Sequence, residues 1–373
     1  MKLSGWLQRV PYSLKVVMPI VIVTKIVVFS LGFAATFLVS SSSSPLSIVM
    51  NQFSHWDSIP YLDLAKNGYV FQGYQQDFIV YFPLYPALIR LFTFNVDYIN
   101  LSALLVSNVS SVFAAVFLFK LARFDFEDNV AKKAVLYLCV FPTAYFLSAI
   151  YTEGLFLALT IASFYYARAG KWPAAGFLAM FAALTRLGGL FLLPALLAEY
   201  CHQKKWKPRN FDAKFLWVFL ALAGFLIYLL INFQVAGKPF AFMEVYRNNW
   251  GLSANPLAGF QRALEWSVSA PFPENTYTIA ELLFAAFGLS MVAAGFLLRF
   301  RLSYNVYMLL TWMLSVSMSW WMSVPRYVMA MFPVFILTAA LVQKRTAHWA
   351  ITLLSSVLLG FFTVLFALNQ FVF

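Results

Sequence analysis

Apolar runs long enough to cross a lipid bilayer recur along this chain, and they constrain its fold more than any other feature. A spanning helix needs about 20 predominantly apolar residues. Runs of that kind lie near 16–39, 99–120, 132–149, 151–168, 214–234, 276–298, 303–321, 327–342 and 348–370, which predicts an all-α integral membrane protein with about nine full spans. The composition agrees: 62% of the 373 residues are hydrophobic and only 11% are charged. The 41 phenylalanines and 11 tryptophans suit a bundle with aromatic belts at both interfaces. The first run follows Lys2, Arg9 and Lys15 and exceeds the roughly 7–15 apolar residues of a signal peptide, so it is expected to be an uncleaved anchor. Cys139 and Cys201 sit far apart in unlike settings, and no disulfide or metal framework follows from them.

The stretch 172–199 is too long for one ordinary span and is interrupted by "TRLGG", where a charge and two helix-weakening glycines coincide. The positive-inside rule decides how it runs. A pair of short helices that enters and returns leaves the basic loop "HQKKWKPR" on the side of the N-terminus, whereas a single crossing would put it opposite, so a re-entrant or broken helix pair is expected. With that choice 18 of the 26 basic residues collect on the cytoplasmic side, among them Lys120, Lys132, Lys133, Lys204, Lys344 and Arg345. Basic residues in short clusters between apolar runs point to a membrane rather than to nucleic acid.

Nine of the 14 acids fall on the other side: Asp57, Asp63, Asp77, Asp97, Glu153, Glu244, Glu265, Glu274 and Glu281. Two long loops, 40–98 and 235–275, lie there too, and long loops on a rigid scaffold are where function tends to sit. The chain is otherwise read as one transmembrane domain over 1–373. The first long loop is expected to hold short helices near 57–67 and 84–94, and its serine run 40–44 is read as a flexible exit from the first span. Within it, "NQFSHWDSIPYLDLAKNGY" places His55, Trp56 and Asp57 directly before a short helix. Asp57 is well placed to be an N-cap, with Pro60 in the first turn. The alternative is a general base at a membrane surface, with His55 as proton partner and Trp56 as an aromatic platform.

At this point the sequence resembles a family. "HWDSIPYLDLAKNGY" is similar to the "WD…Y…A…GY" motif of the PIG-V type mannosyltransferases, the glycosylphosphatidylinositol mannosyltransferase II family and its prokaryotic relatives. "YFPLYPALIRL", "FPTAYFLSAIYTEGLFLAL", "ALTRLGGLFLLPAL", "GKPFAFMEVYRNNW" and "PRYVMAMFP" resemble further family segments, in the family's order, over about residues 50 to 335. The resemblance implies a GT-C-like bundle with an extracytoplasmic active site and a polyprenyl-phosphate-linked sugar donor, dolichyl-phosphate mannose in eukaryotic members. It implies a lipid or membrane-bound acceptor and an inverting transfer in which the family's first-loop acid, matched by Asp57, is the base. The expected home is a prokaryotic plasma membrane, or the endoplasmic reticulum for a eukaryotic chain.

A departing lipid phosphate needs cationic partners. Arg186 and Arg326 lead, each at a break between apolar segments where an arginine is costly unless paired. The alternative for both is a structural role, ion-paired with Glu153. Arg247 and Lys238, in the second long loop, follow them. Glu153 is expected to start a span, with Thr152 as cap, and to serve structure before substrate. Asp63, Tyr327, Trp250 and His55 complete the candidate substrate contacts. The run Tyr81, Phe82, Pro83, Tyr85 and Pro86 is read mainly as packing, and Trp250, Trp320 and Trp321 mainly as belt aromatics. Asp57, Asp63 and Asp77 match no compact metal-binding loop, so transfer without metal or cofactor is expected. The rival functional reading is a transporter or flippase of lipid-linked sugars, which would show two symmetrically broken halves where this chain shows one break.

Overall fold

The computed structural model describes residues 11–39, 44–271 and 274–373. Lys2, Arg9 and most of the serine run lie outside them. The regular structure of the described residues is all helical, with a single isolated bridge between Ala254 and Met318. In chain order the helices are α1 (Tyr12–Val39), α2 (Pro45–Asn51), α3 (Ser58–Asn67), α4 (Leu84–Phe92), α5 (Ile99–Ala122), α6 (Asp128–Cys139), α7 (Glu153–Arg168), α8 (Trp172–Ala183), α9 (Leu192–Gln203), α10 (Leu220–Ala236), α11 (Ala241–Asn248), α12 (Pro256–Ser269), α13 (Glu274–Leu297), α14 (Leu302–Ser315), α15 (Val324–Ala330), α16 (Pro333–Leu341) and α17 (Arg345–Ala367).

Five helical segments among the described residues are long and apolar enough to cross a membrane: α1, α5 with its lead-in turn, α10 with the 3-10 stretch before it, α13 and α17. The chain is an integral membrane protein. The expected nine full spans are not confirmed: five helices among the described residues have the length and hydropathy of a crossing, or six if the bent pair α15 and α16 acts as one. Proline accounts for much of the difference. The run 132–149 yields only the 12 residues of α6, about 18 Å at 1.5 Å per residue. Pro142 lies three positions beyond its end, and residues 140–152 continue without a regular helix. The run 303–321 stops at Ser315, and 327–342 bends by 78° between α15 and α16, where Pro333 opens the second helix.

The stretch 172–199 becomes two 12-residue helices that fold back on each other. Trp172 at the start of α8 meets Tyr200 near the end of α9, with rings 5.1 Å apart edge to face, and Gln203 Nε2 donates to Ala167 O at the end of α7. Both open ends therefore lie at one end of the bundle and Arg186 at the reversal, in extended backbone. Gly189 makes the reversal tight, because a Cβ there would land on the backbone of Ala182 and Ala183.

Short helices form in the first long loop at α3 and α4, where the sequence places them, preceded by α2. The loop is a plug rather than a surface excursion: Tyr85 hydroxyl lies 2.7 Å from Ser107 Oγ on α5, Leu84 N donates to Leu184 O, and Ile150 N donates to Phe53 O. The second long loop packs on it, with Asn249 Nδ2 donating to Asp77 Oδ1 and Trp250 edge-on to Tyr81 at 6.4 Å, and α10 adds Tyr228, which donates to Ile79 O and stacks on Phe82 at 4.0 Å.

The opposite end is locked by a buried carboxylate. Glu199 on α9 is fully buried, accepts two hydrogen bonds of 2.6 Å from Arg301, and is bonded by Ser303 Oγ and Gln203 Nε2. Arg168, 3.8 Å away, pairs through both terminal nitrogens with Asp125. Removing one member of a buried pair leaves an uncompensated charge. Glu199→Ala is expected to destabilise the protein by about 3–5 kcal/mol, read as a large fall in the unfolding midpoint in detergent; an unchanged midpoint would show that the cluster contributes nothing.

Candidate active site

Asp57 occupies the cap position of α3 without capping it. Its backbone is already helical (φ −59°, ψ −17°) and its side chain makes no cap hydrogen bond. Trp56 before it takes φ +55°, a left-handed turn that re-aims the chain. Asp57 N donates to Tyr151 hydroxyl, which donates to His55 O, so the turn is fixed from α7's side of the bundle. The carboxylate is left for other partners: Oδ1 accepts from Tyr81 hydroxyl at 3.1 Å and Oδ2 pairs with Arg326 Nη1 at 3.1 Å. Burial, and after it the negative charge of Asp57, push the Tyr81 phenol well above its ordinary pKa, so it stays protonated and donates.

Behind Asp57 lies Glu153, the first residue of α7 and 1% exposed. Its Oε1 accepts Arg326 Nε at 2.9 Å, Arg326 Nη2 at 2.7 Å and Arg186 Nη1 at 2.5 Å, while Oε2 has no partner. Two carboxylates and two guanidinium groups thus balance in formal charge. Arg326 touches both acids: all three of its nitrogens donate to them, three of its five N–H groups in all, and its plane lies over Phe146 (4.5 Å) and Tyr151 (4.8 Å). Arg186 packs over Tyr327 at 5.4 Å, and its Nε and Nη2 have no protein partner among the described residues. The α15 segment that brings Arg326 and Tyr327 is itself held by a carboxylate: Glu281 on α13 accepts from Ser323 N and Val324 N, both at 2.8 Å.

These groups open on a cavity of about 190 Å³. Asp57, Arg186 and Arg326 form its charged wall, with the Tyr81 hydroxyl beside them, and Tyr327, Tyr246 and Trp250 form an aromatic one. Of the candidates read from sequence, Asp57, Glu153, Arg186, Arg326, Tyr327 and Trp250 are therefore brought together, Glu153 from behind. Five are not. Lys238 is exposed and paired with Glu244, Arg247 is exposed outside the cavity, and Asp63 is bonded by Gln75 and Asn67 within the first loop. His55 and Trp56 pack on Phe366 and Phe371 and do not line the cavity. Asp77 is tied to Asn249, and among the described residues no three His, Cys, Asp or Glu side chains converge.

Tyr81, read from sequence as packing, binds Asp57, and Tyr246 was not singled out at all. Glu281 carried the one available signal, a carboxylate inside an apolar run. Tyr81 and Tyr246 gave none, because aromatic residues are everywhere in this chain and only contact sorts them.

The Mannosyltransferase (PIG-V) family model matches residues 12–249, well over half of the chain. The chain belongs to this family. The matched stretch contains Asp57, Glu153 and Arg186 and stops short of Arg326. The GPI alpha-1,6-mannosyltransferase 2 proteins of Mus musculus and Rattus norvegicus are each 29% identical, over 179 and 164 residues, covering 43% and 41% of this chain. The match spans about a third of either relative, 36% and 32%. The crystal structure of an Archaeoglobus fulgidus oligosaccharyltransferase in the apo form is 11% identical and aligns with 92% of this chain and 56% of its own at a TM-score of 0.46, too slight a likeness to bear on the fold. In this PIG-V family member Glu153 is the shared counter-ion of two arginines. Glu153→Ala is expected to cost about 3–5 kcal/mol of stability and Tyr81→Phe only about 1 kcal/mol, both measured by chemical unfolding in detergent; equal effects would refute the difference in roles.

Proposed function

We propose that the protein is a glycosyltransferase, a mannosyltransferase in class, which moves a sugar from a polyprenyl-phosphate donor, dolichyl-phosphate in a eukaryotic setting, to a lipid or membrane-bound acceptor at the extracytoplasmic face. Family membership supports the class. The observation that carries the mechanism is Asp57, whose carboxylate forgoes its helix cap to lie in a cavity beside Arg326 and Tyr81.

Asp57 is the general base. The acceptor oxygen attacks the anomeric carbon while Asp57 takes its proton; the bond from that carbon to the phosphate oxygen breaks, and the lipid phosphate leaves with the electron pair. Attack opposite the leaving group inverts the anomeric centre, and no covalent enzyme intermediate is needed. As it leaves, the phosphate passes from one negative charge toward two, so a positioned cation favours the transition state over the ground state. Arg186 fits this task with its free N–H groups, whereas Arg326 is occupied in aiming Asp57 at the cavity. This separates two arginines that the sequence treats alike. A cavity of about 190 Å³ is below the about 300–1,000 Å³ of pockets that enclose whole drug-sized ligands. It suits a sugar phosphate head, with the isoprenoid chain lying in lipid between helices.

The test is single-turnover transfer in nanodiscs, with polyprenyl-phosphate mannose as donor and total membrane lipid as acceptor. Asp57→Asn is expected to remain folded and to lose at least about 100-fold in rate; near-normal transfer by this variant overturns the assignment. Arg186→Gln is expected to weaken donor use more than Lys238→Gln, which should match wild type. EDTA in a parallel sample should leave the rate unchanged.

A further inference from the structure

A second cavity, of about 400 Å³, opens at the other end of the bundle, where the Glu199 cluster and the basic loops lie. Lys132 and Lys133 on α6 and Arg345 and His348 at the start of α17 line it, together with the neutral amides Asn129 and Gln343. No carboxylate is among its lining residues. The acid that opens α6, Asp128, is turned to Arg123 at 2.6 Å and to the Tyr12 hydroxyl at 2.5 Å. The walls are fixed relative to each other. Lys133 Nζ donates to Val342 O at 3.0 Å, and Tyr137 hydroxyl lies 2.8 Å from His348 Nδ1. Both bonds tie α6 to the end of the chain that begins α17.

One side of the cavity is apolar and continues into the span. Ile20 on α1, Leu136 and Trp349 border the cavity. From Trp349 a stripe at four-residue spacing runs along α17 through Leu353, Val357 and Phe361, all more than half exposed. Cations gathered in a concave site above an exposed apolar track match one ligand chemistry, a phosphate carrying acyl chains. A free anion would have no use for the track, and a zwitterionic lipid would bring a cation into a site with no acid to meet it. The charge distribution puts this end on the cytoplasmic side, where anionic headgroups attract basic residues.

We propose that this cavity is a binding site for an anionic phospholipid, the phosphate held by Lys132, Lys133 and Arg345 and the acyl chains lying along α17. The site is separate from the sugar-transfer cavity and does not depend on that reading.

The experiment uses the full chain, delipidated in detergent and titrated with phosphatidylglycerol or phosphatidylcholine of matched chains, with bound lipid counted by native mass spectrometry. Phosphatidylglycerol is expected to bind preferentially. The exposed pair Lys132→Gln/Arg345→Gln should weaken it at least about tenfold. The control pair Lys207→Gln/Arg209→Gln removes the same charge from another exposed basic loop and should leave binding intact. Equal binding of the two lipids overturns the proposal, as does an equal loss in the control pair, which would reduce the effect to net charge. Displacement by excess inorganic phosphate overturns it too, since the site would then be one for the free anion.

Discussion

Much of the upper half of this molecule is organised around one carboxylate oxygen. Glu153 Oε1 receives three N–H groups from two arginines that arrive on different segments, one from the reversal between α8 and α9 and one from α15. An arginine at this depth is tolerated only if its charge is met. Glu153 meets both, and Arg326 in turn reaches forward to Asp57 on the first loop. Four segments distant in sequence are thereby fixed at one point. The arrangement is costly to desolvate, and its return is orientation: the outer acid, Asp57, is held toward open space instead of curling onto its own helix.

The same demand explains why so much irregular backbone is tolerated between the spans. Non-helical chain inside a membrane protein must find its hydrogen bonds within the protein. Residues 140–152 do so partly through side chains of neighbouring helices. Lys25, a charge in the middle of α1, donates to Leu147 O and Ser148 Oγ as well as to Asn108 Oδ1, and Asn108 Nδ2 donates to Ser148 O. Ser107 Oγ donates to Tyr151 O. The segment that delivers Tyr151, Thr152 and Glu153 to the cluster behind Asp57 is therefore pinned from α1 and α5.

Some of the site could be read before any fold was known, for a physical reason in each case. Charges inside or between apolar runs are expensive, so Glu153, Arg186 and Arg326 stood out, and the first-loop acid stood out beside its neighbours His55 and Trp56. The same criterion over-selected. Lys238, Arg247 and Asp63 lie in loops that face water, where a charge costs little and signifies little. It also under-selected, because the neutral Tyr81 and Tyr246 blend into a chain rich in aromatic rings.

By itself the sequence determined the membrane setting, the helical class, the basic end and the reversal at 172–199, since each follows from local hydropathy, charge or glycine. It also supplied the family resemblance. It could not determine how many runs become full spans, because an apolar run reads the same whether it forms one helix or breaks at a proline against its neighbours. Nor could it tell the surroundings of Arg186 from those of Arg326. Only the fold shows that one guanidinium reaches both acids and that the other meets Glu153 alone of the two, and such distances exist only after segments far apart in the chain have packed together.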